Sequence, residues 1–405
     1  MTKKVIIIGA GIVGLTSACR LAQEGFQVTI IEKNSRPGTG TSQANAGQLI
    51  YNFGAMASPS FIKNLPKALT DPNQGIIAGK LLLPSNWLWA LKFLSQSTSN
   101  AWQKNSLALI NIAHRSRSAM KAFNRRHDID FNWRKDGKLI IYDNEASLRS
   151  AETTAKFQRE HGGNHQVISK EKCFELEPAL INSARKISGA TYLADAEIGD
   201  CYAYCKSLAD ILCRHYGGKI HYNVTVDGFE SHKDQISAVK TTNGLIEGDI
   251  FIISAGIDSP KLLDRSFPNK SPIIGIKGIS LTYPLGSTPP DLSVTDAAGK
   301  FVIARLGEKV RVTGYAIFSS DLSINPDHVS KLEEKAKSLM PDAADYAASP
   351  DIWTGLRPQT PSDLPMISKA GAKNLYVNAG RGSSGWILSF GSAEKLTDII
   401  INDNK

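Results

Sequence analysis

The segment from Val5 to Glu32 constrains this chain more than any other. Val5-Ile6-Ile7-Ile8 is an all-apolar, β-branched run, as expected of a parallel strand covered on both faces. Gly9-Ala10-Gly11-Ile12-Val13-Gly14 follows, and then a helical pattern with Leu15, Ala18, Cys19 and Ala22 on one side. Gly25 stops that helix, Val28-Thr29-Ile30-Ile31 reads as a second strand, and Glu32 ends it. Strand, glycine turn, helix, strand, acid is the order a dinucleotide site requires. Gly9 permits the tight turn, Gly11 lets a pyrophosphate approach the backbone, and Gly14 lets helix and strand pack closely. The helix N-terminus offers free N–H groups and a positive dipole end to phosphates. Glu32, 18 residues after Gly14, is placed to bind a ribose diol and to repel a 2′-phosphate, which disfavours NADP. NAD and FAD both stay open at this point.

Composition bounds the rest. A chain of 405 residues is long for one domain and favours two that interleave. With 42% apolar and 21% charged residues it is neither disordered, fibrous nor coiled-coil. Its net charge of +9 is a weak field that favours anionic ligands or lipid headgroups. No Lys/Arg run is interleaved with aromatics, so nucleic acid is not an expected partner. Cys19, Cys173, Cys201, Cys205 and Cys213 lack metal-ligand spacing and read as small hydrophobes in a reducing compartment, with no metal site. The apolar start is too short for a signal peptide, and no window reads as a membrane span, so a cytoplasmic or peripheral location is expected.

Farther along, Thr41-Ser42-Gln43-Ala44-Asn45-Ala46-Gly47 is a small polar loop able to run under a flavin. A helical pattern spans 85–126, with Trp87, Leu88, Leu91 and Leu94 on one stripe. It reads as a core helix, with an interfacial membrane patch as the alternative. Strands are expected at 137–142, 187–193, 220–226, 280–283, 302–305 and 310–314, and helices at 155–161, 201–216 and 329–339. Phe251 to Gly256 is an apolar strand opening into Ala255-Gly256. Leu375 to Trp386 repeats strand and glycine turn, ahead of an apolar helix to Ile401. A chain that begins and ends on such units folds its ends together, a layout common in flavoenzymes and uncommon in NAD dehydrogenases.

Seven stretches then match a known family in order: 5–14, 41–47, E-I-G-D-C (197–201), I-K-G-I-S-L-T-Y-P (276–284), A-R-L-G-E-K-V-R-V-T-G (304–314), G-L-R-P-Q-T-P-S-D (355–363) and G-R-G-S-S-G-W (380–386). The sequence resembles the FAD-dependent D-amino-acid oxidase superfamily, most closely bacterial D-amino-acid dehydrogenases. The resemblance implies FAD, hydride transfer from Cα of a D-amino acid to flavin N5, and hydrolysis to a 2-oxo acid and ammonia. It also implies a quinone or respiratory-chain acceptor. Such hydride transfer needs alignment rather than a strong side-chain base. Two positions depart from the family: Arg381 stands where His is usual, and Ile279 where an aromatic residue is common. Glycine, sarcosine, D-proline or hydroxyproline are therefore alternative substrates, for an oxygen-using oxidase or a dehydrogenase. A noncatalytic FAD-binding subunit is a remoter alternative. Covalent flavin is disfavoured, because the C-terminal motifs lack Cys.

The expected fold class is α/β (α+β), a Rossmann-type FAD-binding domain of residues 1–50, 199–268 and 350–405. A substrate domain of 51–198 and 269–349, built on antiparallel sheet, interleaves with it. Arg357 matches the family's carboxylate-binding Arg, whose fork grips a carboxylate with two bonds. Arg381 is open among substrate, flavin and structural roles, and Tyr51 and Tyr315 are pocket candidates by closeness to matched motifs. The expected FAD contacts are Gly9, Ala10, Gly11, Ile12, Val13, Gly14, Glu32, Lys33, Thr41, Ser42, Asn45, Ala46, Gly47 and Gln48. To these are added Val224, Ala255, Gly256, Gly380, Gly382, Ser383, Ser384, Gly385 and Trp386.

Overall fold

Val5 and Ile7 bury themselves in one apolar cluster, and Ile6 and Ile8 in another on the opposite face. The strand Lys4–Ile8 is therefore central, as its unbroken apolar run requires. In the computed structural model, which describes residues 2–63, 75–77, 79–263 and 272–404, it lies inside a six-stranded sheet. The order is Met366–Lys369, Leu375–Ala379, Ile250–Ile253, Lys4–Ile8, Gln27–Ile31, Lys219–His221. All neighbours are parallel except the first pair. Helices Ile12–Gln23, Cys201–His215, Ser389–Asp403 and Ser99–His127 cover one face through Leu15, Leu208, Leu396 and Leu109. The three-stranded antiparallel sheet from Val226 to Glu247 covers the other, through Ile236 and Val239.

A nine-stranded sheet stands beside this sandwich. Its long members Asp351–Gln359, Ile274–Pro284, Lys309–Phe318 and Phe301–Leu306 run antiparallel. Alternating Ile279, Leu281 and Tyr283 pack with Val310, Val312 and the helix Pro326–Leu339. The α/β class with both parallel and antiparallel sheet holds. Pairing of Asp351–Gln359 with Ile274–Pro284 crosses the division expected at residue 350. Helix Ser99–His127, expected with the substrate part, packs on the parallel-sheet side.

Three elements differ from the sequence reading. The strand expected over 220–226 is two strands, Lys219–His221 and Val226–His232, because Asn223 turns at φ +55. The N–H groups of Asn223 and Val224 then donate to the Asn34 and Glu32 carbonyls, which carries the chain across the end of the sheet. The helical pattern 85–126 is broken at Ser97, and Thr98 caps a second helix by accepting from the Ala101 N–H at 3.3 Å. The helix expected at 155–161 begins at Glu145, where the Asn144 side chain accepts from the Ser147 N–H.

The core-helix reading of 87–94 is half right. Trp89 and Phe93 are buried against Ile276 and Phe318. The stripe named from the sequence is the outward face, with Trp87, Leu88 and Leu91 exposed by 58%, 60% and 64%.

Candidate active site

A cleft of about 500 Å³ opens at the carboxyl ends of the parallel strands, against the strand Asp351–Gln359 of the larger sheet. Its size and place are those of ligand sites in open α/β sheets. The first glycine turn makes one wall. Gly9 sits at φ +106 and donates to the Ile31 carbonyl at 2.8 Å; a Cβ there would lie 2.6 Å from the Ser254 carbonyl oxygen. A Cβ on Gly14 would strike the Gly9 carbonyl itself. On Gly11 it would meet only Ser42 Oγ, at 3.9 Å, so the space it would fill belongs to the cleft.

Glu32 is buried beside this turn. Its Oε2 accepts from the Ala10 N–H at 2.7 Å and its Oε1 from the Asn34 N–H at 2.9 Å. Ser42 Oγ accepts from the Ile12 N–H at 3.2 Å, which fastens the polar loop to the helix N-terminus. Arg311 steadies the same loop by donating to the Asn45 carbonyl at 3.2 Å.

Two arginines line the opposite end. Arg357 is half-buried and donates from Nη1 to the Tyr315 carbonyl at 2.9 Å. Its guanidinium lies over Gly278, where a Cβ would come within 2.5 Å of Nη2. That carbonyl is aimed by a bulge: register shifts where Lys309–Phe318 passes Gly278, and Tyr315 takes φ +66. Arg381 is 2% exposed and donates to Asn378 Oδ1. Neither arginine has an ion pair among the described residues, and burial pushes both guanidinium groups down, Arg381 to about 9. The Nε of Arg381, the indole N–H of Trp386 and the hydroxyl of Ser254 are buried without a hydrogen-bond partner among the described residues.

Of the residues singled out from the sequence, the cleft brings together Gly9, Gly11, Ile12, Val13, Glu32, Lys33, Thr41, Ser42, Asn45, Val224, Ala255 and Gly256. Gly380, Gly382, Ser383, Gly385, Trp386, Arg357 and Arg381 complete that group. Ala10, Gly14 and Ser384 stand behind the lining as packing or backbone supports. Ala46, Gly47 and Gln48 lie off it; Gln48 instead accepts from Lys138 Nζ at 2.9 Å and donates to Ser293 Oγ at 2.6 Å. Tyr51 is packed in the helical core, with Arg117 over its ring and its hydroxyl on the Met120 sulfur. Tyr315 contributes its carbonyl alone, because its ring turns toward His328. Sequence reasoning missed Gly38, Gly40, Thr225, Asp227, Asp258 and Lys261 in the lining, and Gly278 beneath Arg357. The matched K-G-I-S stretch carried the one usable signal, a glycine inside a strand.

The family model for DAO, FAD dependent oxidoreductase, matches residues 4–399. The chain belongs to that family. It is similar to a D-amino acid dehydrogenase of Vibrio vulnificus (strain YJ016), 30% identical, with 99% of this chain and 96% of that protein covered. D-amino acid dehydrogenase 2 of Ralstonia nicotianae is 32% identical, with 98% and 96% covered. In fold the chain is similar to glycine oxidase from Bacillus cereus ATCC 14579, with TM-score 0.74, 20% identity and 100% and 96% covered. L-proline dehydrogenase from P. horikoshii gives 0.76 at 19% identity, with 99% and 95% covered. FAD is the cofactor of this DAO-family chain. The cleft suits it, since three buried donors without partners among the described residues meet a ligand rich in acceptors.

Proposed function

We propose that this DAO-family oxidoreductase deaminates a D-amino acid oxidatively and passes the electrons to a quinone or another respiratory acceptor. Cα of the donor loses hydride, and water hydrolyses the resulting imino acid to a 2-oxo acid and ammonia. Bound FAD supplies the hydride acceptor at N5. The observation that carries this reading is the Arg357 guanidinium, fixed on the Tyr315 carbonyl and lacking an ion pair among the described residues. Its remaining N–H groups fit a substrate carboxylate in two-pronged fashion. That grip, with Gly278 leaving room beneath, sets how the Cα–H is presented. The relatives' names support the substrate class.

Gly9, Gly11, Ile12, Val13, Glu32, Lys33 and Val224 hold the nucleotide half of FAD in this reading, and Thr41, Ser42 and Asn45 run under its flavin. Ala255, Gly256, Gly380, Gly382, Ser383, Gly385 and Trp386 line the remainder of its site. In this reading the cofactor part is drawn from 1–50, 199–268 and 350–405 and the substrate part from 51–198 and 269–349, with strand Asp351–Gln359 shared by its pairing with Ile274–Pro284 and helix Ser99–His127 packed on the cofactor side.

Contact with a membrane goes with a quinone acceptor. Among the described residues no helix is long and apolar enough to cross a bilayer. The helix Trp87–Gln96 nonetheless turns Leu88, Leu91 and Trp87 outward, beside exposed Leu83. Residues 72–127 hold eight Lys and Arg and no Asp or Glu, and thus eight of the nine net positive charges. An apolar face with the exposed Lys92 on the same helix fits an anionic lipid surface.

Anaerobic mixing of the yellow holoenzyme with a panel of D- and L-amino acids tests the proposal. Bleaching by D-amino acids, and faster turnover with quinones or dyes than with oxygen, is expected. Bleaching by L-amino acids alone, or by none, would overturn it.

A further inference from the structure

Among the described residues Arg381 has no charge partner to explain its burial. It follows Leu375–Ala379 at the carboxyl edge of the sheet and is 2% exposed, yet it lines the cleft. Asn378 Oδ1 accepts from its Nη2, and Asn378 in turn donates to Ser17 Oγ at 2.9 Å, on the helix of the first glycine turn. Its Nε has no partner among the described residues. The nearby buried carboxylate, Asp363, accepts instead from the Met56 and Ala57 N–H groups and from the Gln359 amide. A guanidinium held this way is costly unless an anion reaches it when the site is at work. Arg cannot lose its proton at neutral pH, and even burial pushes it down only to about 9.

Two anions belong to the loaded site from the start, the diphosphate of FAD and the substrate carboxylate. A third arises only in the reaction. Hydride carries two electrons with one proton, so its transfer from the donor carbon adds one negative charge to the acceptor. The sheet order sets Arg381 on one side of Lys4–Ile8 and Glu32 on the other. Arg381 instead pairs by backbone bridge with Gln359, two residues from Arg357 on the same strand. It thus lies at the substrate end of the cleft, away from the ribose-binding acid.

We infer that Arg381 is the fixed positive charge that stabilises the negative charge gained by FAD on reduction, and so raises the reduction potential of the bound cofactor. The inference rests on the cleft being the FAD site described above. A guanidinium keeps that charge independent of pH in the physiological range. The Asn378–Ser17 chain positions it.

Dye-equilibrated reduction potentials of the FAD-loaded wild type and of Arg381→Met, Arg381→Lys and Arg381→His, without substrate, test this. Arg381→Met is expected to lose at least tenfold in the reduction equilibrium, about 30 mV for a two-electron couple. Arg381→Lys should stay near wild type. Arg381→His should show a potential that falls more steeply with rising pH through the His titration. FAD affinity of the oxidised protein should change less than threefold. An unchanged potential in Arg381→Met overturns the inference. If FAD affinity falls instead, Arg381 grips the diphosphate; if only binding of a carboxylate analogue falls, it is a second substrate grip. Should Arg381→Met fail to load, Arg381→Lys and Arg381→His decide alone, and a pH slope equal to wild type in the His variant overturns the inference. Bleaching by D-amino acids in the same preparations tests the functional reading separately.

Discussion

Arg357 Nη1 donates to the Tyr315 carbonyl at 2.9 Å, and that carbonyl is available only because Tyr315 takes a left-handed conformation in a bulge opposite Gly278. Tyr315 and Gly278, on two other strands of the sheet, thus fix the Arg357 guanidinium. Gly278→Ala should displace it, since the new Cβ would lie 2.5 Å from Nη2 and 2.8 Å from Cζ. Catalytic efficiency should fall by roughly ten- to a hundredfold, the scale of an ångström-sized misplacement. FAD content should stay at wild-type level, as measured by absorbance after denaturation.

Gly11→Val should abolish FAD loading, because a side chain there projects into the cleft and not against the fold. Its far-ultraviolet circular dichroism should stay that of a folded protein. Acid precipitation of the wild type should leave FAD in the supernatant. Colour in the pellet would contradict noncovalent binding.

Much of this was legible in sequence, for a physical reason. The Val5–Glu32 unit and the turn Gly380–Trp386 are local: consecutive residues make the strand, the turn and the helix start. The bulge at Tyr315 was not legible, since it depends on register between two strands whose pairing no local pattern records. Tyr51 and Gln48 show the same limit. Both adjoin the polar loop in sequence, yet Gln48–Leu49 pairs with Glu197–Ile198, and the side chain of Gln48 reaches Lys138 and Ser293, outside the cleft lining. The outward turn of Leu88 and Leu91 was equally hidden, because an apolar stripe looks the same in sequence whether it faces the core or the surface.

Leu88→Glu combined with Leu91→Glu should leave dye-linked turnover intact, since both side chains are exposed. Binding to vesicles of phosphatidylglycerol and phosphatidylcholine should drop at least tenfold in a sedimentation assay, about 1.4 kcal/mol. Equal sedimentation of wild type and variant would remove the membrane contact.

Lys138 gives a pH prediction. It is buried, and burial pushes its ammonium down to about 7, from a usual value near 10.5. Between those values the unfolded chain binds the proton and the folded one does not, so this group makes stability rise with pH. Lys138→Met removes that slope. Its melting temperature relative to wild type should therefore be highest at pH 6 and decline toward pH 10, whatever constant offset follows from the lost bond to Gln48.

Steady-state kinetics of Arg357→Leu with a D-amino acid and its amide test the central claim most directly. Loss of a charge-assisted pair costs roughly 2–5 kcal/mol, so kcat/KM for the acid should fall by about 30- to several-thousand-fold. The amide, which has no carboxylate, should be affected far less, and FAD content and melting temperature should change little. Arg357→Lys should recover only part of the loss, keeping the charge without the fork. If kcat/KM for the acid stays within about threefold of wild type, Arg357 does not hold the substrate carboxylate, and the account of the cleft is contradicted.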